Sequence, residues 1–173
     1  MSEDNIIKGQ PCHICGKNGL TLSEIEKDIP YFGKAFILSM YCEECKYKKT
    51  DVDLDEKQDP AKYSFTVENE EDLNVRIVKS SEATIKIPRM ITIDPGVASD
   101  GFVSNIEGLL NRITNILEST RDSEDDPAKR KKAKNQLKKI SRVLWGRENL
   151  TIEISDPSGN SAIISEKAIK TKI

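Results

Sequence analysis

All the cysteine in the chain lies in two short motifs, Cys12-His-Ile-Cys15 and Cys42-Glu-Glu-Cys45, with 26 residues (16–41) between Cys15 and Cys42. Two thiolates on one tight turn occupy two corners of a tetrahedron, and a second such turn supplies the other two. The spacing predicts one Zn2+ held by Cys12, Cys15, Cys42 and Cys45, with bonds of about 2.3 Å in a closed, structural shell. Two disulfides or four buried free thiols are the competing explanations. The acidic start, Met1-Ser-Glu-Asp-Asn5, lacks the apolar core of an export signal. The expected setting is therefore reducing and cytoplasmic, where thiols bind metal instead of pairing. A closed shell leaves no position for a substrate, so the motif speaks for scaffold or binding and against catalysis.

Around these knuckles the pattern is β. Leu20–Ile25 and Ala35–Tyr41 are rich in alternating or continuous apolar residues and read as strands, with Asp28–Gly33 as the turn between them. Gly16 follows the first motif, where a positive φ suits a knuckle; Lys46 stands at the same place in the second. His13 is expected to face solvent, since four cysteines already fill the shell. Ile29, Tyr31 and Phe32 form an apolar cluster beside Pro30. It either packs this sheet against a neighbour or presents aromatic anchors to a partner. Residues 1–10 read as a loose lead-in, and Asp51–Asp59 as a linker or edge. A zinc ribbon over residues 1–54 follows. So small a unit buries too little to fold alone, so the metal supplies much of its stability.

From residue 62 short strands return: Lys62–Glu68, Leu73–Ser80, Ala83–Ile87 and Met90–Ile93, then Leu150–Ser155, Ser161–Ser165 and Ala168–Ile173. Strands this short and closely spaced suggest a sandwich or barrel over residues 55–173. A helical hairpin over about 103–145 interrupts them. Its first stripe is Val103, Ile106, Leu109, Leu110, Ile113, Ile116 and Leu117, with Ser104 and Glu107 as a capping box. Its second helix opens at Asp126-Pro127, carries Ala133, Leu137, Ile140 and Leu144, and stops at Gly146. The fold class is mainly β with an α insertion.

The chain has 27 basic and 29 acidic residues and a formal net charge of −2, so overall charge selects neither nucleic acid nor membrane. No apolar run approaches the roughly 20 residues that span a bilayer. One local cluster stands out: Lys129, Arg130, Lys131, Lys132, Lys134, Lys138, Lys139 and Arg142, all on the second helix. It supports an alternative function in nucleic-acid binding through Lys131, Lys132 and Lys138, although no aromatic residue interleaves for base stacking. Asp156-Pro-Ser-Gly-Asn-Ser161 is a dense turn signal. A nucleophilic Ser158 or Ser161 would need a positioned base, and the one histidine, His13, belongs to the knuckle. The loop is expected to be structural, with Asp156, Ser158 and Asn160 as candidate partner contacts, and the chain is not expected to be an enzyme.

Several motifs occur in a fixed order: Cys12–Gly16, the Ile29-Pro-Tyr-Phe32 turn, Thr84-Ile-Lys-Ile-Pro88, Val103-Ser-Asn-Ile-Glu-Gly108 and Asp156–Ser161. Together they resemble the ZPR-type zinc-finger family over about Cys12 to Ser165. The resemblance implies a zinc finger similar to that of the beta subunit of translation initiation factor two. It also implies a double-stranded β-helix, jelly-roll-like, with a helical hairpin inserted. Eukaryotic members carry two such modules, and archaeal members one, so the single module here suggests an archaeal-like source. Eukaryotic members bind translation elongation factor 1-alpha and assist its folding, and have been linked to growth-factor receptors and nuclear transport. A protein partner of that kind is thus implied. Lys46 and Arg89 depart from the family, which has glycine and an acid at these places; Arg89 removes any partner contact made through that acid.

Overall fold

The computed structural model describes residues 5–30, 33–56, 58–96 and 99–173. Strands β1 (Asn5–Gln10), β2 (Leu20–Ile29), β3 (Gly33–Cys42) and β4 (Lys48–Leu54) form an antiparallel sheet in chain order. One expectation is corrected here and another narrowed. The described part of the lead-in is a strand, because Asn5, Ile6 and Ile7 pair with Glu24, Ser23 and Leu22. Of the two readings of Asp51–Asp59, linker or edge, the edge holds as far as Leu54, since in this sheet β4 is the outer strand. Its aspartates alternate with Val52 and Leu54, which are buried, and that period of two is the mark of a strand with one covered face.

The second body contains β5 (Ala61–Val67), a short 3-10 helix (Glu71–Asn74), β6 (Arg76–Lys79), β7 (Thr84–Ile87), β8 (Ile91–Ile93) and β9 (Phe102–Asn105). Helices α1 (Ile106–Ser123) and α2 (Pro127–Leu144) follow, then β10 (Leu150–Asp156), β11 (Ala162–Ile164) and β12 (Ile169–Lys172). The strands make a five-stranded sheet, β12-β5-β10-β7-β8, and a three-stranded one, β11-β6-β9, in the jelly-roll manner. Leu73, expected in a strand, lies in the 3-10 helix instead. Asn69 Oδ1 accepts from the Asp72 backbone N–H at 3.1 Å there, so side chains stabilise a turn that competes with the strand.

Burial follows the two periods. On β10, Leu150, Ile152, Ile154 and Asp156 point inward and the residues between them do not. On α1, Ile106, Leu109, Leu110, Ile113 and Leu117 are buried, whereas Ile116, expected in the stripe, is exposed. The cap of α1 is Asn105, whose Oδ1 accepts from Gly108 N at 2.8 Å; Ser104 lies within β9, opposite Ile77. Asp126 caps α2 as expected, accepting from Ala128 N at 2.9 Å.

The three-stranded sheet joins the two bodies. Ile77 and Val78 are neighbours, so their side chains face opposite ways, and both are fully buried. Ile77 enters the core with Phe65, Ile85, Ile152 and α1. Val78 packs with Ile29, Ala35, Val52 and Leu54 of the ribbon, joined by Val103 and Ile164. Hydrogen bonds close the seam: Gly101 N to Thr50 O at 2.7 Å, and Thr50 N to Asp100 Oδ1 at 2.9 Å. A Cβ on Gly101 would stand 2.7 Å from Val52 N, so only glycine permits this approach.

Val78→Ala should lower the free energy of unfolding by about 2 kcal/mol. Hydrogen exchange should speed up first at the amides of β3 and β4, while β10 stays protected.

Candidate functional site

The knuckles are brought together by strand pairing. One lies between β1 and β2, the other between β3 and β4, and the register sets Leu20 opposite Cys42 at the end of the sheet. Each knuckle closes with the same pair of backbone bonds. In the first, Gly16 N donates to Cys12 O at 2.7 Å and Cys12 N to Lys17 O at 2.8 Å. In the second, Lys46 N donates to Cys42 O at 2.9 Å and Cys42 N to Tyr47 O at 2.8 Å. The turn needs a left-handed residue: φ is 73° at Gly16 and 62° at Lys46. A lysine there costs about 1 kcal/mol that a glycine would not.

The four sulfurs lie within 4.8 Å of one another, with Cys12 Sγ–Cys45 Sγ and Cys15 Sγ–Cys42 Sγ both at 3.8 Å. A tetrahedron of bonds of about 2.3 Å has edges of about 3.8 Å, so the shell suits one zinc ion. A disulfide, at about 2.05 Å between sulfurs, is excluded by the same distances. Cys12 and Cys42 are buried, Cys15 is half-buried and Cys45 is exposed. The backbone N–H of Cys15, with that of Ile14 and the neighbouring sulfurs, lowers the Cys12 thiol to about 7. At Cys45 the N–H of Tyr47 works the same way, but the three other sulfurs, with the water they displace from this one, outweigh it and push the thiol up to about 12. Thiols so close compete for charge, and a divalent cation removes that competition. His13 stands edge-on to the Tyr47 ring, with centroids 4.8 Å apart, and is no ligand.

The Asp156–Ser161 loop is a hydrogen-bonded knot. The Asp156 carboxylate accepts from Ser158 N at 2.8 Å, Ser158 Oγ at 2.6 Å, Ser80 Oγ at 2.7 Å and Ser161 Oγ. Burial pushes this carboxyl up, but those donors outweigh it and hold it below the usual carboxylate range. The Ser158 and Ser161 hydroxyls both donate to this one carboxylate, and a carboxyl held so far toward its ionised form is a weak base, so the contacts cap the turn as expected of a structural loop. Asp156 is 1% exposed and Ile29 likewise 1%, which corrects their candidacy as partner contacts: the first is enclosed by its donors, the second by Val52 and Val78. Tyr31 and Phe32 lie outside the described residues. Ser158 and Asn160 are half-buried, and Asn160 Nδ2 donates to Asp53 Oδ1 at 3.1 Å across the seam.

The ZPR1 zinc-finger domain family matches residues 7–57, and the ZPR1 jelly-roll domain family matches residues 71–172. This chain belongs to the ZPR1 family. It is 41% identical over 157 residues to an uncharacterised ZPR1-like protein of Methanocaldococcus jannaschii, covering 90% of this chain and 79% of that one. It is 42% identical over 168 residues to a ZPR1-like protein of Pyrococcus horikoshii, covering 94% and 75%. The zinc finger chaperone zpr1 of Schizosaccharomyces pombe is 34% identical over 156 residues, covering 88% of this chain but 33% of the yeast protein.

Within this ZPR1 architecture the sequence argument missed two polar residues at the seam. Asp51 Oδ1 accepts from Ser81 N at 2.8 Å, and Asp51 Oδ2 from Ser81 Oγ at 2.5 Å, tying the ribbon to the β6–β7 turn. Lys79 is 4% exposed and donates to Ser80 O at 2.9 Å, and to Ser99 Oγ and Asp100 O at 3.2 Å. Burial lowers its pKa, while Asp51, Asp156 and Asp100 pull it back. The signal was a lysine closing an apolar run, Ile77-Val-Lys79, whose alternation has no outer face. The helix lysines Lys131, Lys132 and Lys138 are all exposed and belong to neither the metal centre nor the seam.

Cys42→Ser should abolish stoichiometric zinc binding, read by elemental analysis, and unfold the ribbon. Lys46→Gly should raise the stability of the zinc-bound ribbon by about 1 kcal/mol in denaturant titration, since it relieves the left-handed turn. A carboxyl with a depressed folded pKa stabilises above its unfolded value and loses that contribution as pH falls through the folded one. The destabilisation by Asp156→Asn should therefore be full above about pH 4 and shrink below it, in thermal melts compared with the parent chain.

Proposed function

We propose that this ZPR1-family chain is a zinc-stabilised protein-binding module that engages the translation elongation factor 1-alpha of its own cell and assists its folding. It works in a reducing cytoplasm and carries out no chemistry of its own. The observation that supports this most is a partly exposed apolar strip on the ribbon. Ile7, Leu22 and Met40 are in register across three strands and so share a face. Leu38 and Phe36 continue that face, opposite the one packed on Val78. Ile7 is 49% exposed and Leu38 39%, and Ile14, on the first knuckle, is 60% exposed. A chaperone needs apolar surface that its own fold leaves unused. The name of the yeast relative, a zinc finger chaperone, points the same way. The closed cysteine shell fits a scaffold role. The proposed contact extends to Ser158 and Asn160, the latter bonded to Asp53 of the ribbon. Among the described residues, no helix is long and apolar enough to cross a membrane.

Immobilised chain should retain purified elongation factor 1-alpha at micromolar concentration and raise the yield of its nucleotide-binding form on dilution from denaturant. Ile7→Glu with Leu38→Glu should weaken retention at least tenfold while leaving zinc content unchanged. No retention by the zinc-loaded chain would overturn the proposal.

A further inference from the structure

The open side of α2 carries charge that the fold does not use. Lys131, Asn135, Lys138, Arg142 and Trp145 recur at intervals of four, three, four and three, so they share one stripe. All five are exposed. At 1.5 Å per residue the stripe runs about 21 Å.

Two open grooves border it. The first, about 410 Å³, lies between α2 and the Pro88–Met90 turn and is lined by Arg89, Lys131, Lys132, Asn135, Gln136 and Lys139, with no acid among its lining residues. Gln136 Nε2 donates to Met90 O at 2.5 Å and holds the turn against the helix; Arg89, at the turn's centre, has a φ of 61°. The second groove, about 560 Å³, is lined by Lys138, Ser141, Arg142, Trp145, Arg147 and Glu148. Glu148 faces Lys139 at 3.8 Å and Arg142 at 3.9 Å, which partly satisfies those two. Lys131, Lys132 and Lys138 have no ion-pair partner among the described residues.

Trp145 decides what such a surface suits. It caps α2, is 62% exposed, and has the Arg147 guanidinium 5.2 Å from its ring centroid. The other residues of its groove are charged or hydroxylic. An aromatic anchor for a protein partner sits in a well-packed, desolvated pocket, and a helix lying on a membrane needs a broad apolar face; neither surrounds this ring. A lone aromatic platform set among cations matches the alternation of bases and phosphates in a single strand.

We propose that this face of the hairpin binds single-stranded nucleic acid without reading its sequence. Phosphates lie against Arg89, Lys131, Lys132 and Lys138, and a base stacks on Trp145. The surface shares no residue with the ribbon strip, so the two proposals stand or fall separately.

Fluorescence anisotropy with labelled oligouridylate, oligothymidylate, duplex RNA and polyglutamate tests it. Both single strands should bind, and duplex and polyglutamate at least tenfold more weakly. The logarithm of affinity should fall with the logarithm of salt at a slope of about −0.7 per phosphate contact, near −3 for four. Lys131→Glu with Lys138→Glu should cost more than tenfold. Trp145→Ala should cost roughly five- to a hundredfold for oligouridylate, and the parent's tryptophan fluorescence should be quenched on binding. Zinc content and circular dichroism of the variants check that each is folded. Equal or tighter binding of polyglutamate would assign the face to an acidic protein segment and overturn the proposal. Preference for duplex, indifference to Trp145→Ala, or no binding at low salt would overturn it equally.

Discussion

The sheet β11-β6-β9 has no solvent face, and the arrangement of the rest follows from that. One side closes the jelly-roll core through Ile77 and Ile163, and the other receives the ribbon through Val78, Val103 and Ile164. A ribbon of this size, with its own small apolar cluster, gains from leaning on a larger body. The apolar contact is non-directional, and the polar bonds around it are not. Asp51 to Ser81, Thr50 to Asp100 and Asn160 to Asp53 fix which strand of the ribbon meets which loop. Burying Lys79 is tolerable only because three oxygens meet its ammonium in the same seam.

The metal centre lies at one end of the ribbon sheet. Strand register alone, Leu20 against Cys42, brings the two knuckles within reach, so the sheet and the thiolate shell support each other. Zinc ties the ends of β1, β2, β3 and β4 at one place, and the seam ties β4 to the body at another. The face between these two restraints carries Ile7, Leu22 and Met40 across three strands, with Leu22 and Met40 half-covered by the cysteine cluster. The same four sulfurs therefore fix the ends of all four ribbon strands.

Much of this was legible in the residues. Cysteine spacing named the ligand set because metal geometry tolerates few alternatives. The periods of α1 and α2 named most of their buried faces, Ile116 aside. The errors share one cause. Local pattern reports whether a face is covered, not what covers it. Asp51–Asp59 reads as either linker or edge because its acids dominate the composition, yet the alternation of Val52 and Leu54 already favours an edge strand with one covered face. Asp156 looked like a surface contact because it is charged, and of the serines that enclose it, 80, 158 and 161, the first comes from 76 residues away and only the fold reveals it as a neighbour. Ser104 and Asn105 were both chemically able to cap α1, and the pairing of Ser104 with Ile77 settled the choice.

The cysteine shell is lopsided. The leading sulfur of each knuckle, Cys12 or Cys42, is buried under the sheet, while the trailing one faces outward, Cys45 most of all. Oxidants and competing chelators therefore meet the shell from one side, at the sulfurs least held by packing. The two covered sulfurs, Cys12 and Cys42, form the sheltered half of the shell.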